Sequence, residues 1–135
     1  MFKFKDAIMK GQESAKFVIG NRKEVDGVFE MLNDELTSMT NDDLFISRNI
    51  KTVKRDESLD NEDLAMDKAG WITLHVGDKY KAIANWEQDK NGYPFTIINE
   101  GGRTDCWDKE SLIFALSEIL SAGRFWLWIE EMKRG

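Results

Sequence analysis

The chain contains few of the residues that most catalytic and metal-binding sites require. Its 135 residues include one cysteine, Cys106, and one histidine, His75. Because a structural zinc site needs about four nitrogen or sulfur ligands, a single copy of the chain does not supply one. One cysteine also excludes an internal disulfide, which favours a reducing compartment. The sequence therefore predicts no metal, no cofactor and a cytoplasmic protein.

Long apolar runs and an excess of basic residues are also missing. No segment approaches the ~18 uninterrupted apolar residues of a membrane span, and the first residues, MFKFKDAIMKGQES, hold no apolar stretch of signal-peptide length. Acidic residues outnumber basic ones by 25 to 19, and the formal net charge is −6. A general nucleic-acid binder needs a basic face to collect phosphates, so we expect no direct nucleic-acid binding. The lack of long apolar runs predicts no membrane insertion.

Residues 71–98 carry the clearest strand pattern, three strand-like runs separated by turn signals. Gly77-Asp78 and Asn91-Gly92 mark the two turns, and Asn-Gly is favoured in tight hairpins because both residues accept a positive φ. The only proline, Pro94, stands at the start of the third run, where its missing N–H is tolerated. Because short turns join antiparallel neighbours, the stretch predicts a three-stranded meander.

The period of two in a strand predicts which side chains share a face. In the first run of the meander, His75 falls on the same face as Trp71 and Thr73. In the second run, one face is expected to hold Tyr80, Ala82, Ala84 and Trp86. Residues 44–54 alternate in the same way and predict one further strand before the meander.

Two helices are predicted from apolar stripes at helical spacing. Residues 21–39 carry such a stripe, and Asn21 followed by Glu24 has the spacing of a capping box, which predicts that a helix begins there. The residues before it, from about Lys5, predict a separate helix that ends near Gly20.

The second striped helix spans residues 108–122. Asp108 is expected to be its N-cap, because a carboxylate there accepts hydrogen bonds from unpaired N–H groups. Gly123 is expected to end it as the C′ residue.

These elements predict the fold class. Strands that follow one another, rather than alternating with helices, indicate an α+β protein. We expect one domain over residues 1–135, with an antiparallel sheet of about four strands, three of them the meander at 71–98. Helices 21–39 and 108–122 are expected to cover one face of the sheet.

Residues 55–68 form an acidic interruption between the first strand and the meander. The segment holds six carboxylates against one arginine and one lysine, which accounts for most of the net negative charge of the chain. A connection of this length in a small domain is expected to be exposed and to be either functional or mobile. Its oxygen spacing lacks the glycine and the distant glutamate of a calcium loop. The predicted partner-binding carboxylates are Asp56, Glu57, Asp60, Glu62 and Asp63.

Aromatic residues are the other unusual feature, with five tryptophans in the chain. Most are expected in the core, but Trp126 and Trp128 belong to five adjacent apolar residues, which predict a buried strand or a short core helix. Because tryptophan is enriched at protein interfaces, we expect these two residues to contribute to partner binding. The same aromatic tail would also suit a homodimer contact.

Small size, acidic charge, excess tryptophan and the absence of a catalytic motif favour a non-enzymatic interaction protein. By composition it resembles small acidic bacterial or phage proteins that neutralise a basic toxin or nuclease, as immunity proteins do. We therefore expect a protein partner with a basic surface, which the protein binds and inhibits or regulates.

Two alternatives remain open at this point. One is a mimic of DNA, or another regulator of a nucleic-acid enzyme, which requires the acids of helix 21–39 and of loop 55–68 to line up in one band. The other is a small enzyme that uses His75 or Cys106, because a nucleophilic cysteine needs a base within reach. The hypothesis of a non-enzymatic interaction protein predicts no catalytic residue.

Overall fold

The computed structural model describes residues 4–40, 43–51 and 67–134. In chain order the elements are α1 (Phe4–Thr40), β1 (Leu44–Ile50), β2 (Lys68–Val76), β3 (Lys79–Gln88), β4 (Phe95–Asn99), β5 (Gly102–Cys106), α2 (Lys109–Ser121) and α3 (Gly123–Arg134).

The strands form one antiparallel sheet in the order β1-β2-β3-β4-β5, so every strand pairs with its neighbour in sequence. The α+β class and the meander are confirmed. The expected number of about four strands was one too low, because Gly101 and Gly102 were interpreted as the end of the sheet. They instead form the turn into β5: Gly102 has a φ of +117°, and the Gly101 N–H donates to Asn99 Oδ1. β1 ends at Ile50, and residues 52–54 of the predicted strand lie outside the described residues.

The helices cover one face of this sheet, which we call the inner face. Side chains from β2, such as Ile72 and Leu74, are buried there against Val25 and Phe29 of α1. The Trp86 ring stacks on that of Phe95, with the ring centroids 5.5 Å apart. From α2 and α3 the core receives Leu112, Leu116, Phe125 and Ile129. The prediction that helices pack on one face is therefore confirmed.

A β-bulge in β3 overturns the predicted face of that strand. Ile72 pairs with Ala84 but Thr73 pairs with Ala82, so Ile83 is an extra residue in β3. Because a one-residue offset moves the following side chains to the opposite face, Ala84 and Trp86 are buried on the inner face whereas Tyr80 and Ala82 point outward. The expectation that Tyr80, Ala82, Ala84 and Trp86 share one face is wrong for this reason.

The bulge also turns two lysines toward the helices. Lys79 pairs with Val76, and Lys81 pairs with Leu74, both on the inner face. The Lys79 ammonium donates to the Met132 carbonyl at 2.8 Å, near the C-terminal end of α3 where a cation is favoured. The Lys81 ammonium lies 5.3 Å from the centroid of the Trp128 ring.

The predicted helix start at Asn21 is wrong, because α1 runs without a break from Phe4 to Thr40. The two residues of the supposed capping box bond to the β3–β4 connection instead. The Asn21 amide donates to the Asn91 carbonyl at 3.0 Å, and the Glu24 carboxylate accepts from the Tyr93 hydroxyl at 2.7 Å. Gly20 weakens the helix by only about 1 kcal/mol relative to alanine, which does not interrupt it.

The predicted helix 108–122 agrees with α2 at both ends. Asp108 caps α2 as expected: its carboxylate accepts from the Ser111 N–H at 2.8 Å, and the Ser111 hydroxyl accepts from the Asp108 N–H. α2 ends at Ser121 with Ala122 as its C-cap, so Gly123 holds the predicted C′ position, but it does not have a positive φ and instead begins α3. The aromatic tail is thus a helix.

Within the described residues, no single helix is both long enough and apolar enough to cross a membrane. Among these residues, α2 and α3 taken together have the length and the apolar composition of a membrane span, but they are bent by 57° at their junction.

Candidate functional site

The face of the sheet opposite the helices, which we call the outer face, carries exposed aromatic side chains. Tyr80 is 74% exposed, Phe45 is 45% exposed and Trp71 is 41% exposed. Each points away from the core because its strand neighbours on either side are turned inward. Among the residues that the structure describes, none of the helices packs on this face.

Two aromatic side chains and the imidazole between them form a row across three strands. Phe45 pairs with His75, and His75 pairs with Tyr80, so β1, β2 and β3 each contribute one member. The centroids are 5.1 Å apart between Phe45 and His75 and 6.2 Å apart between His75 and Tyr80. His75 Nε2 lies 2.8 Å from the Ser47 hydroxyl, which fixes the imidazole in place. We call Phe45, His75 and Tyr80 the aromatic row.

Next to the aromatic row lies a row of small side chains, Ser47, Thr73 and Ala82, which pair with one another across the same strands. Trp71 lies beyond them on β2, and the Lys51 ammonium is 5.4 Å from its ring centroid. Thr73, between Trp71 and His75, is only 6% exposed, so the neighbouring larger side chains cover it.

The other half of the outer face is acidic. Glu87 of β3 and Asp105 of β5 share one cation, Arg103, at 2.9 Å and 3.4 Å. The Thr96 hydroxyl also donates to Asp105 at 2.7 Å, which orients that carboxylate. Two carboxylates with one guanidinium leave this cluster with one negative charge.

Most of the predicted acidic site lies outside the described residues, namely Asp56, Glu57, Asp60, Glu62 and Asp63. The residues on either side of that gap are placed. Lys51 donates its N–H to the Ala69 carbonyl, and the Asp67 carboxylate accepts from the Lys90 N–H. The described chain stops at Lys51, beside Trp71, and resumes at Asp67, two residues before Ala69, which pairs with Glu87.

The two predicted aromatic site residues lie on α3, on the helix side of the sheet. Trp126 is 40% exposed, and its indole N–H donates to the Leu120 carbonyl at 2.7 Å. Trp128 is half-buried, with Lys81 and Arg124 near its ring. Neither residue is next to Trp71, so the tryptophans do not form a common surface with the outer face.

Trp128 also lines a cavity of about 450 Å³ between α2, α3 and the inner face of β3 to β5. Its walls are apolar side chains such as Ile83 and Phe125, and Arg124 at its edge pairs with Glu100 at 2.6 Å. The cavity is large enough for a small apolar group. The guanidinium of Arg124 is already paired with the Glu100 carboxylate.

The candidate catalytic pair is not assembled. His75 is on the outer face of β2, whereas Cys106 pairs with Phe95 on the inner face of β5 and is completely buried. Burial, followed by the charges of Asp105 and Asp108, raises the pKa of the Cys106 thiol, which disfavours a thiolate nucleophile. Within residues 4–40, 43–51 and 67–134, no group of three or more His, Cys, Asp or Glu side chains is arranged to hold a metal.

The acidic band required by a DNA mimic is described in part. Glu30, Asp34 and Glu35 of α1 are exposed, as a solvated helix face would be. Their alignment with the carboxylates of residues 55–66 lies outside the described residues, so that alternative stays a prediction.

The sequence pattern did not predict the aromatic row or the exposure of Trp71 on the outer face. The alternation of Trp71, Thr73 and His75 indicated a shared face, but not that the face would be uncovered. Tyr80 joins them only because of the bulge at Ile83, for which the sequence carries no recognisable signal. Comparison of the chain with protein-family models, with curated proteins and with solved structures gave no match.

Proposed function

We propose that this protein is a small, non-enzymatic cytoplasmic protein that binds a protein partner with a basic surface and inhibits or regulates it. The observation that carries the proposal is the outer face of the sheet, where Phe45, Trp71 and Tyr80 are exposed and no described helix covers them. Exposed apolar patches mark sites of protein interaction, and aromatic residues are enriched at protein interfaces.

The aromatic side chains would provide most of the affinity. Tyrosine and tryptophan contribute a large contact area and lose little conformational entropy on binding, which is why they dominate binding hot spots.

Charge supports the choice of a basic partner. The chain carries a net charge of −6, and the Glu87–Arg103–Asp105 cluster makes one half of the outer face acidic, whereas Lys51 lies beside Trp71 at the other half. The predicted partner-binding carboxylates, Asp56, Glu57, Asp60, Glu62 and Asp63, belong to the segment that ends at Asp67, and the described chain resumes there next to the β3–β4 connection. Opposite charges increase the association rate and select the correct partner.

The test compares capture by the wild-type protein, by a Trp71→Ala/Tyr80→Ala double variant and by a Phe114→Ala control. Phe114 is an equally exposed aromatic, at 67%, but it lies on α2 on the helix side. Each protein is immobilised and incubated with lysate at low and at high salt. Any protein retained by the wild type is identified, purified and titrated against all three.

We expect one basic protein that binds stoichiometrically, more weakly as salt is raised, with its dissociation constant increased at least about tenfold by the double variant. The control should bind like the wild type. If every retained protein bound the double variant and the wild type equally, the outer face would not be the binding surface and the proposal would fail.

A further inference from the structure

The two edges of the sheet differ in whether their backbone groups are already bonded. At the β1 edge, the Asn33 side chain of α1 donates to the Ile46 carbonyl at 2.9 Å and accepts from the Ile46 N–H at 2.8 Å. A side-chain amide that bonds both groups occupies the place of an added strand, so this edge is blocked. β5 forms the other edge, and among residues 4–40, 43–51 and 67–134 no strand pairs with its free side.

The turn before β5 determines which of its backbone groups face the free edge. Asn99 pairs with Gly102 across a two-residue turn, and residues that flank such a turn exchange both of their hydrogen bonds. Because hydrogen-bonded and non-hydrogen-bonded pairs alternate along antiparallel strands, Thr104 also bonds to β4. Arg103 and Asp105 therefore direct their N–H and C=O groups toward the free edge. Both residues are exposed, as is Thr104 between them.

The side chains at this edge alternate in charge. Arg103 and Asp105 lie on the outer face, where the Arg103 guanidinium is 2.9 Å from the Glu87 carboxylate and 3.4 Å from that of Asp105. The Arg103 side chain is still 56% exposed and that of Asp105 is 44% exposed, so both are accessible to a further partner. Opposite charges two residues apart on one face form a pattern that an antiparallel copy of the same strand complements.

We propose that two copies of this chain pair their β5 strands edge to edge, in antiparallel orientation, about a two-fold axis at Thr104. Arg103 of each copy then lies opposite Asp105 of the other, and these residues exchange backbone hydrogen bonds as well as an ion pair. The contact is isologous and closes. Since the β1 edge of each copy is blocked by Asn33, the assembly stops at a dimer.

Charge also selects the register of the two strands. Because the groups that face the free edge must meet each other, one strand slides along the other only in steps of two residues. A step in one direction sets Arg103 opposite its own copy, and a step in the other sets Asp105 opposite its own copy. Like charges directly opposite each other are destabilising. Of these three registers, the one with its axis at Thr104 sets opposite charges together.

The dimer would join the sheets of the two copies into one. A two-fold axis perpendicular to the sheet sets both outer faces on the same side. The acidic clusters of Glu87, Arg103 and Asp105 then meet at the centre, and the aromatic row of each copy lies toward an end. The inference is independent of the proposed function, but it would present the binding surface of that proposal twice.

Sedimentation equilibrium over a wide range of protein concentration tests the proposal. We expect the wild type to form a dimer that dissociates on dilution. Arg103→Asp sets carboxylates against each other across the contact, and Asp105→Arg sets guanidiniums against each other. Each variant should raise the dissociation constant at least about tenfold. The matched control is Asp78→Arg, which makes the same charge change as Asp105→Arg at an exposed residue of the β2–β3 turn and should dimerise like the wild type.

Mixing the two charge variants tests the register itself. The Arg103→Asp chain has two carboxylates at its edge and the Asp105→Arg chain has two guanidiniums, so each chain complements the other. An equimolar mixture should form a heterodimer at least as tightly as the wild type dimerises. Both positions are exposed, so each variant should fold, which circular dichroism checks. A mixture that stays monomeric where the wild type is dimeric would overturn the register.

A cross-link at the axis gives a second measurement. Thr104 would face its own copy as a non-hydrogen-bonded pair, with Cα atoms about 4.5 Å apart, which a disulfide can span. Mild oxidation should therefore link Thr104→Cys chains to each other, whereas Asp78→Cys chains should not be linked. The native Cys106 is buried and does not compete. Equal linkage of the two variants would contradict a contact at Thr104.

Two further results would overturn the dimer at β5. One is a wild-type protein that is monomeric at all concentrations. The other is a dimer that keeps its affinity in Arg103→Asp and in Asp105→Arg but is lost with Trp126→Ala, which would place the contact on α3.

Discussion

The Tyr93 hydroxyl donates a hydrogen bond to the Glu24 carboxylate at 2.7 Å, and this bond joins the middle of α1 to the β3–β4 connection. Glu24 immediately precedes Val25, the first buried residue of α1. The bond therefore connects the helix to the sheet at the point where the buried part of the helix begins.

Replacing Tyr93 with phenylalanine should lower the free energy of unfolding by about 1 kcal/mol, because Glu24 loses its hydrogen-bond donor while the ring still packs. Urea titration at neutral pH measures the change. Tyr80→Phe is the matched control, since Tyr80 is 74% exposed on the outer face and should have little effect on stability. Equal stability of the wild type and Tyr93→Phe would mean that the bond contributes nothing in solution.

The same bond predicts a dependence on alkaline pH. Burial, together with the hydrogen bond and negative charge of Glu24, raises the pKa of the Tyr93 phenol. The unfolded chain ionises its tyrosines at about pH 10, whereas folded Tyr93 stays neutral to higher pH. This contribution to stability is thus complete below about pH 10 and is lost as the pH rises above it. Urea titrations from neutral to alkaline pH should show a steeper loss for the wild type than for Tyr93→Phe.

Two glycine-to-alanine substitutions should change stability in opposite directions. A Cβ at Gly70 would lie 1.6 Å from the Asn49 carbonyl oxygen, so β1 and β2 would have to separate there. We expect Gly70→Ala to destabilise the protein by about 3 kcal/mol. A Cβ at Gly27 meets no atom within 4 Å, and Gly27→Ala should stabilise α1 by about 1 kcal/mol. Urea unfolding followed by tryptophan fluorescence tests both, and a stable Gly70→Ala variant would contradict the β1–β2 register.

Cys106 should react with a thiol reagent only when the protein unfolds. Its side chain is fully buried, and burial raises the pKa of its thiol, so both access and thiolate formation are disfavoured. Labelling of the native protein should follow the rate of unfolding and become immediate in urea. A cysteine introduced at the exposed turn residue Asp78 provides the control for free access. Rapid stoichiometric labelling of Cys106 in the native protein would contradict its burial.

The elements that were predicted correctly depend on short-range chemistry. Asp108 caps α2 because its carboxylate and the Ser111 hydroxyl are three residues apart, a distance that the helix geometry sets by itself. The turn at Gly77-Asp78 likewise needs only one residue that accepts a positive φ, and Gly77 has a φ of +60°.

The errors occurred where distant residues compete for the same groups. Asn21 and Glu24 have the spacing of a helix cap, yet both bond to the β3–β4 connection, about seventy residues away along the chain. The bulge at Ile83 is a feature of the pairing of β3 with β2, and the one-residue offset places Tyr80 on the outer face.

The sequence by itself determined the α+β class, the meander, the cap of α2 and the acidic character of the chain, because periodicity, turn residues and charge are local properties. Only the tertiary structure decided which face of the sheet stays open and where the exposed aromatic residues gather. It also decided that α1 passes through Asn21 without a break, since burial and long-range hydrogen bonds depend on how the elements pack together.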